Sequence, residues 1–284
     1  MSYGFEKGKI YRMPTHFGPG LGPRQGPDGR KFECKDNPKA KSISVSFLTN
    51  PQQLESFLPP NFSLFKEPIV TVTASYLKEI EWLAGRGYNT LGVSFPVKFV
   101  GEKDEARGNF LLVLWENLTD PILTGREELG FSKIYCKLPE PKIFKDKVEC
   151  TASWMDFNFM SLKVSNLTPG EIPQKTEEVE SEDQYLKGVL HYKYIPKTGG
   201  YPGSWGEEDV AYAVLTPEAT PNRIVTSVAY GDGEINFHKA RWEDMPTQYT
   251  IINAFEGLEK IKYFKATVTE TVGAKDLGDQ RALQ

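Results

Sequence analysis

The amino-acid sequence predicts an α+β protein dominated by β-structure. Three observations carry that reading. Short runs of alternating or β-branched residues recur along the chain, bounded by Gly and Pro turns. Only two or three stretches have helical character. The strands are not interleaved with regular helices, which disfavours a doubly wound nucleotide-binding sheet.

Taken in order, residues 1–27 form a Gly- and Pro-rich N-terminal arm. Its alternate glycines follow no strand and its prolines remove backbone donors, so a phosphate loop is disfavoured. Residues 42–48 alternate as a half-buried strand. Asn50 then caps a short helix with Pro51 at its first position and Leu54, Phe57 and Leu58 on one face, stopped by Pro59 and Pro60. Residues 69–76 are a β-branched strand, and residues 85–89 a Gly-Arg-Gly-Tyr-Asn turn. Residues 93–100 and 110–115 read as strands joined by a charged hairpin loop at 101–108. Residues 148–159 and 160–164 read as paired strands, and 169–183 as a solvated acidic loop. Strands follow at 185–194, 210–215, 223–229 and 234–238, then a late helix at 249–258, a closing strand at 261–272 and a tail at 273–284. No repeat or linker divides the chain, so residues 1–284 are expected to form a single domain.

Composition narrows the function. The chain has 284 residues, 39% hydrophobic and 25% charged, as globular proteins do. A formal charge of −4 argues against nucleic acid or an acidic membrane surface as partner. No apolar run reaches the ~20 residues of a membrane helix and no apolar signal core opens the sequence, so a cytoplasmic protein is expected. Cys34, Cys136 and Cys150 form no C-x-x-C pair, which points to a reducing compartment. His16, His191 and His238 lack metal-ligand spacing, so no metal site is expected.

One stretch speaks of chemistry: Gly125-Arg126-Glu127-Glu128-Leu129-Gly130-Phe131-Ser132-Lys133-Ile134-Tyr135. A lone lysine lies among Phe131, Ile134 and Tyr135. Apolar neighbours strip solvent from an ammonium, lower its pKa and free the amine as a nucleophile. The commoner arrangement buries the stem and leaves the ammonium in water. Arg126 and Glu127 are candidates for anion binding and proton transfer, or they pair and shape the loop. Glu116, just before the motif, is a candidate acid or base against the alternative of a solvated loop glutamate. Arg30, after a Pro-Asp-Gly turn, is either a surface arginine or the edge of an anion pocket.

Gly125-Arg126-Glu127, followed after five residues by Lys133, resembles the lysine motif of the acetoacetate decarboxylase family. Asp28-Gly29-Arg30-Lys31-Phe32 resembles that family's early arginine-aromatic segment, and Val93-Ser94-Phe95-Pro96-Val97-Lys98-Phe99-Val100-Gly101 its strand before the hairpin. The short helix and the order of segments from His238 to Val272 add to the likeness, which spans about residues 28–272. The resemblance implies an antiparallel β cone or barrel with the lysine facing an internal apolar cavity. It also implies that Lys133 condenses with a substrate carbonyl as a Schiff base, without external cofactor. Arg30 would then meet a substrate carboxylate. Family members often form oligomers, which leaves a homo-oligomer open.

Departures from the family pattern shape the expectation. A second, adjacent lysine is replaced by Ile134, so desolvation would have to lower the Lys133 pKa. Two family glutamates correspond to Ser75 and Thr90. Tyr88, Asn89 and Thr90 become candidates for neutral hydrogen bonds to substrate. These departures fit a lyase of the aldolase–dehydratase kind acting on an oxo acid or polyketide-like carbonyl in secondary metabolism. A decarboxylase of a bulkier β-keto acid and a non-catalytic small-molecule binder are the alternatives.

Overall fold

A computed structural model describes residues 4–172, 185–200, 202–275 and 277–284. Its strands are β1 (Lys39–Leu48), β2 (Phe62–Leu64), β3 (Ile69–Ile80), β4 (Arg86–Val100), β5 (Glu105–Glu116) and β6 (Lys133–Tyr135). Then come β7 (Lys142–Phe144), β8 (Lys147–Trp154), β9 (Phe157–Pro169), β10 (Leu186–Pro196), β11 (Glu208–Pro217) and β12 (Ile224–Phe237). The last are β13 (Lys262–Tyr263), β14 (Lys265–Val272) and β15 (Arg281–Ala282). Three α-helices join them: α1 (Pro51–Glu55), α2 (Thr119–Thr124) and α3 (Tyr249–Glu256). All fifteen strands belong to one sheet, with the main path β15-β11-β10-β5-β4-β3-β1-β14-β12-β9-β8-β7. This is the β-dominated α+β architecture the sequence predicts. Among the described residues no helix is long and apolar enough to cross a membrane.

The two faces of the central strands differ because their side chains alternate. One face is apolar and wholly buried. It carries Ile43, Val45 and Phe47 of β1, Val70, Val72 and Ala74 of β3, and Leu91, Val93 and Phe95 of β4. Helix α3 closes this core with Ile252 and Phe255. Trp115 is also fully buried there, and its indole N–H donates to Gln248 Oε1 at 2.8 Å, so its one polar atom is satisfied. The opposite face is half-buried and lined with hydroxyls. Ser42, Ser44 and Ser46 of β1 bond to Ser75, Thr73 and Thr71 of β3 at 2.8, 2.9 and 2.8 Å.

Several boundaries differ from the sequence reading. Tyr88 and Asn89 lie within β4, not in a turn. The reversal occurs at residues 81–85, where Ala84 (φ 52°) and Gly85 (φ 82°) take the left-handed conformation. Strands β8 and β9 reverse about Met155 (φ 50°), earlier than predicted. The strands read separately at 223–229 and 234–238 are one strand, β12. Gly233 lies in the gap between the two ranges, and a Cβ there would lie 2.7 Å from Ala266 Cβ and 2.8 Å from Val45. It is a close-packing glycine inside a strand.

The chain end is docked, not a loose tail. Strand β15 pairs with β11, Leu283 is buried, and Arg281 forms an ion pair with Asp104. The Gln284 carbonyl accepts from the amides of Lys103 and Asp104, both at 2.8 Å. Of the acidic run, Glu171 is exposed, while Glu177, Glu178, Glu180, Glu182 and Asp183 lie outside the described residues.

Candidate functional site

The site is built on the ends of β5 and β6 and on the segment that joins them. After β5, α2 leads into a π-helical turn, Gly125–Leu129, which ends at Gly130 with φ 80°. The Gly125–Glu127 part of the sequence motif lies in this helical cover. Strand β6 then runs parallel to β5, pairing Leu114 with Lys133, Trp115 with Ile134 and Glu116 with Tyr135. That register settles which way each residue points. Ile134 shares the apolar face with Trp115, whereas Lys133 shares the opposite face with Leu114 and Glu116.

Lys133 Nζ lies 2.8 Å from Glu116 Oε1 and donates to the Pro121 carbonyl at 3.0 Å. The pair is withdrawn from water, with Lys133 8% and Glu116 1% exposed. Glu116 Oε2 is buried and has no hydrogen-bond partner. Gly125 is required by this packing: a Cβ there would lie 2.4 Å from Lys133 Cδ and Cε and 2.7 Å from Nζ. Any other residue would push the amine or the turn aside.

Burial drives the electrostatics. Desolvation lowers the Lys133 pKa; the Glu116 carboxylate opposes that fall and the Arg24 guanidinium adds to it. Desolvation also raises the Glu116 pKa, against the pull of Lys133. Both directions favour a neutral amine beside a carboxylic acid over two buried charges. Tyr88, part-buried, has its phenol raised by burial and then by Glu116. The Cys136 thiol is pushed up to about 12, mainly by burial, so it is not a competing nucleophile. The three cysteines are free.

His191, fully buried, holds the end of the cover. Its Nδ1 lies 3.0 Å from the Gly130 carbonyl, its Nε2 3.3 Å from Thr216 Oγ1, and its ring stacks on Phe131 at 4.2 Å. Bonding to a carbonyl makes Nδ1 a donor, and in the neutral ring Nε2 is then the acceptor. Burial lowers its pKa to about 4.

The other sequence candidates divide. Thr90 pairs in register with Glu116, on the same face and the adjacent strand, and Ser75 follows in the same row. Asn89 points the other way, and its amide is used on the Leu138 carbonyl (2.9 Å) and Glu140 (3.4 Å). Arg126 donates to the Lys133 carbonyl at 2.9 Å, which fixes the backbone of β6. It forms no ion pair with Glu127. The Glu127 carbonyl instead accepts from Lys193 Nζ at 2.7 Å. Arg30 is not brought to the site: its side chain is 63% exposed, 3.4 Å from Asp28, and stacked over Phe32. The short-range Asp28 turn holds it at the surface.

Two cavities flank the cover. The larger, about 400 Å³, is lined by Arg126, Phe131, Ile134, Tyr192, Lys193 and Phe255. Ile134 is among its lining residues and Lys133 is not, although Lys133 Nζ lies 5.6 Å from the ring centroid of the lining Phe131. The other, about 330 Å³, is bounded by Arg24 and Glu128. Sequence reasoning missed this second cluster. Arg12 and Arg24 reach Glu128 from more than 100 positions away, and nothing local marks that contact. Among the described residues no group of three or more His, Cys, Asp or Glu could hold a metal.

A family model described as acetoacetate decarboxylase matches residues 12–276. No curated protein matches the sequence. Among solved structures, an acetoacetate decarboxylase from Legionella pneumophila subsp. pneumophila str. Philadelphia 1 is similar, with TM-score 0.59 and 17% identity over 91% of this chain and 92% of that one. Another structure of acetoacetate decarboxylase gives TM-score 0.62 at 14% identity, covering 87% and 89%. The enduracididine biosynthesis enzyme MppR gives TM-score 0.59 at 13% identity, covering 91% and 92%.

Proposed function

Since the chain belongs to the acetoacetate decarboxylase family, we propose that it is a lyase whose Lys133 forms a Schiff base with an oxo acid or a related carbonyl compound, in aldol or dehydration chemistry. The observation that carries this reading is Lys133 Nζ at 2.8 Å from a buried carboxyl group whose second oxygen has no partner. A buried neutral amine supplies the nucleophile, and a protonated carboxyl group supplies the acid. The amine adds to the substrate carbonyl, whose oxygen takes a proton from Glu116. The nitrogen's proton returns to Glu116, which then protonates the leaving hydroxyl. Water departs and an iminium remains. The Glu116 carboxylate takes a proton from the adjacent carbon, and the C–H electron pair moves towards the iminium nitrogen, giving an enamine. The enamine adds to a second carbonyl, whose oxygen takes that proton from Glu116; loss of water and then hydrolysis of the iminium release the condensation product and free the Lys133 amine.

The MppR structures support this branch as precedent. One of them is described as complexed with pyruvate, and another with the condensation product of pyruvate and imidazole 4-carboxaldehyde. Ser75 and Thr90 at the two positions that resemble family glutamates favour it over acetoacetate decarboxylation, and Glu116 is the carboxyl group that Lys133 meets among the described residues. Acetoacetate decarboxylases activate their amine with a neighbouring cationic group. Ile134 stands where the resemblance places that neighbour, so burial takes over the activation of Lys133.

The test is borohydride reduction in the presence of pyruvate, followed by mass mapping. The expected result is an adduct on Lys133 that is absent from Lys133→Met. Deuterium uptake into the pyruvate methyl group would report the enamine. An adduct on other lysines only, or carbon dioxide release from acetoacetate at a decarboxylase's rate, contradicts the proposal.

A further inference from the structure

We infer that the 330 Å³ pocket beside the lysine cover is an anion site that takes the carboxylate of the oxo acid, with Arg24 as its principal donor. Only the naming of the ligand as an oxo acid rests on the imine reading. The pocket lies between the N-terminal arm and β11, bounded by Ile10, Arg24, Glu128, Leu129, Tyr212 and Arg281.

Charge balance distinguishes it. Arg12 NH1 bonds to one oxygen of Glu128 at 2.5 Å, and Arg24 NH2 bonds to the other. The three side chains are 14, 9 and 13% exposed in the order Arg12, Arg24, Glu128. Two guanidinium groups thus share a single carboxylate. Arg281, on the pocket's far wall, is already matched by Asp104. One positive charge is left over in a half-buried place, and an anion in the pocket would balance it.

Donor count points the same way. A guanidinium offers five N–H donors in a planar fork that fits a carboxylate. Arg12 uses a second donor on the Leu21 carbonyl at 2.6 Å. The bond to Glu128 is the single side-chain hydrogen bond that Arg24 makes among the described residues, which leaves the rest of its fork for the pocket it lines. The arm holding both arginines is fixed by Gln25, a buried residue that bonds to Ile10 and to the Gly20 carbonyl at 2.8 Å.

The pocket is within reach of the amine. Glu128 lies three residues from Gly125 in the same π-helical turn, and Gly125 packs directly on the Lys133 side chain. Arg24 is also one of the charges that lower the Lys133 pKa. An oxo acid spanning the two would place its ketone at Lys133 and its carboxylate at Arg24.

Levulinate and methyl levulinate separate the contributions, since they share a ketone and differ in charge. Titration calorimetry on the full chain is expected to show levulinate bound at least about tenfold more tightly than the ester. Arg24→Met should abolish that preference. Glu128→Gln removes the competing carboxylate but keeps a hydrogen-bonding amide, and should enlarge it. Equal binding of acid and ester, or a preference that survives Arg24→Met, overturns the inference. Should Arg24→Met fail to fold, the Glu128→Gln result decides: no gain in preference for the acid overturns it. Borohydride trapping is read separately. A charge preference without a Lys133 adduct refutes the imine reading and leaves the anion site standing; an adduct without the preference does the reverse.

Discussion

Two ionic groups of different charge balance, one buried and one half-buried, meet the turn Gly125–Leu129. On one side Lys133 meets Glu116, one cation to one carboxylate, and a carboxylate oxygen is left without a partner. On the other, Arg12 and Arg24 share Glu128, two cations to one carboxylate. The balanced pair can become neutral by moving one proton from amine to carboxylate, and burial favours that move. The unbalanced cluster has no such exit, because a guanidinium does not give up its proton. Withdrawal from water thus acts differently on the two groups: it favours proton transfer within the pair and leaves a fixed positive charge in the cluster. That charge is felt at the amine: Arg24 is a cation near Lys133, in a chain that has Ile134 where the family resemblance places a second lysine.

Breaking the balanced pair should have the largest effect. Glu116→Gln keeps the shape and removes the exchangeable proton. Imine formation at Lys133 is expected to slow by about 10²–10⁴-fold, the usual contribution of a positioned acid or base, as read by the rate of borohydride-trapped adduct. A variant within about twofold of wild type would remove Glu116 from the mechanism.

Displacing the amine without touching its charge comes next. Gly125→Ala puts a methyl group at 2.4 Å from Lys133 Cδ, so the side chain or the turn must move. Adduct formation is expected to fall by about 10²-fold, as for a misplacement of around 1 Å. The comparison sharpens if levulinate binding changes much less than trapping in this variant, since Gly125 faces Lys133 and not Arg24.

His191 tests the end of the turn through pH. Its folded pKa is about 4, below the ordinary value of 6.5. Between those values the unfolded chain binds a proton that the folded chain refuses. The contribution of His191 to stability is thus complete above pH 6.5 and is lost as pH falls towards 4, by at most ~3 kcal/mol. Urea unfolding of wild type and His191→Gln at pH 7.5 and 4.5 checks this. Wild type should lose more stability across that interval than the variant, and equal losses would remove the assignment.

The smallest expected effect is at Thr90. Its hydroxyl sits in the row of Glu116 on the next strand, where opposed Cβ atoms are ~5 Å apart. Thr90→Val should slow trapping by only about threefold, because losing one neutral hydrogen bond costs roughly 0.5–1.5 kcal/mol at most. A loss as large as that in Glu116→Gln would make Thr90 a full participant.

Local pattern explains what the sequence made legible. The alternation of residues 42–48 and 69–76 gave β1 and β3, because one buried face imposes a period of two. Asn50 and Pro51 gave the start of α1, where the Asn50 side chain accepts from the Gln52 amide at 3.0 Å. Lys133 and Glu116 stood out individually, but 17 positions separate them, and only the parallel pairing of β5 with β6 makes them neighbours. The resemblance that aligned Thr90 with a family glutamate could not see that Glu116 occupies the same row one strand over. Arg30 had the more suggestive local turn, yet Arg12 and Arg24 are the arginines drawn into the fold, through a carboxylate more than 100 residues away. The close packing of Gly125 and Gly233 was not legible, because a sequence does not distinguish a glycine that bends from one that lets a neighbour approach.

The central claim is that burial makes Lys133 a neutral amine in proton contact with Glu116. Competitive labelling of amines with a small acylating reagent, across pH and resolved by peptide mass, tests it most directly. Lys133 is expected to reach half-maximal reactivity well below the ~10.4 of ordinary lysines, with the profile displaced in Glu116→Gln. A Lys133 profile that coincides with those of surface lysines, and does not move in Glu116→Gln, would contradict the account.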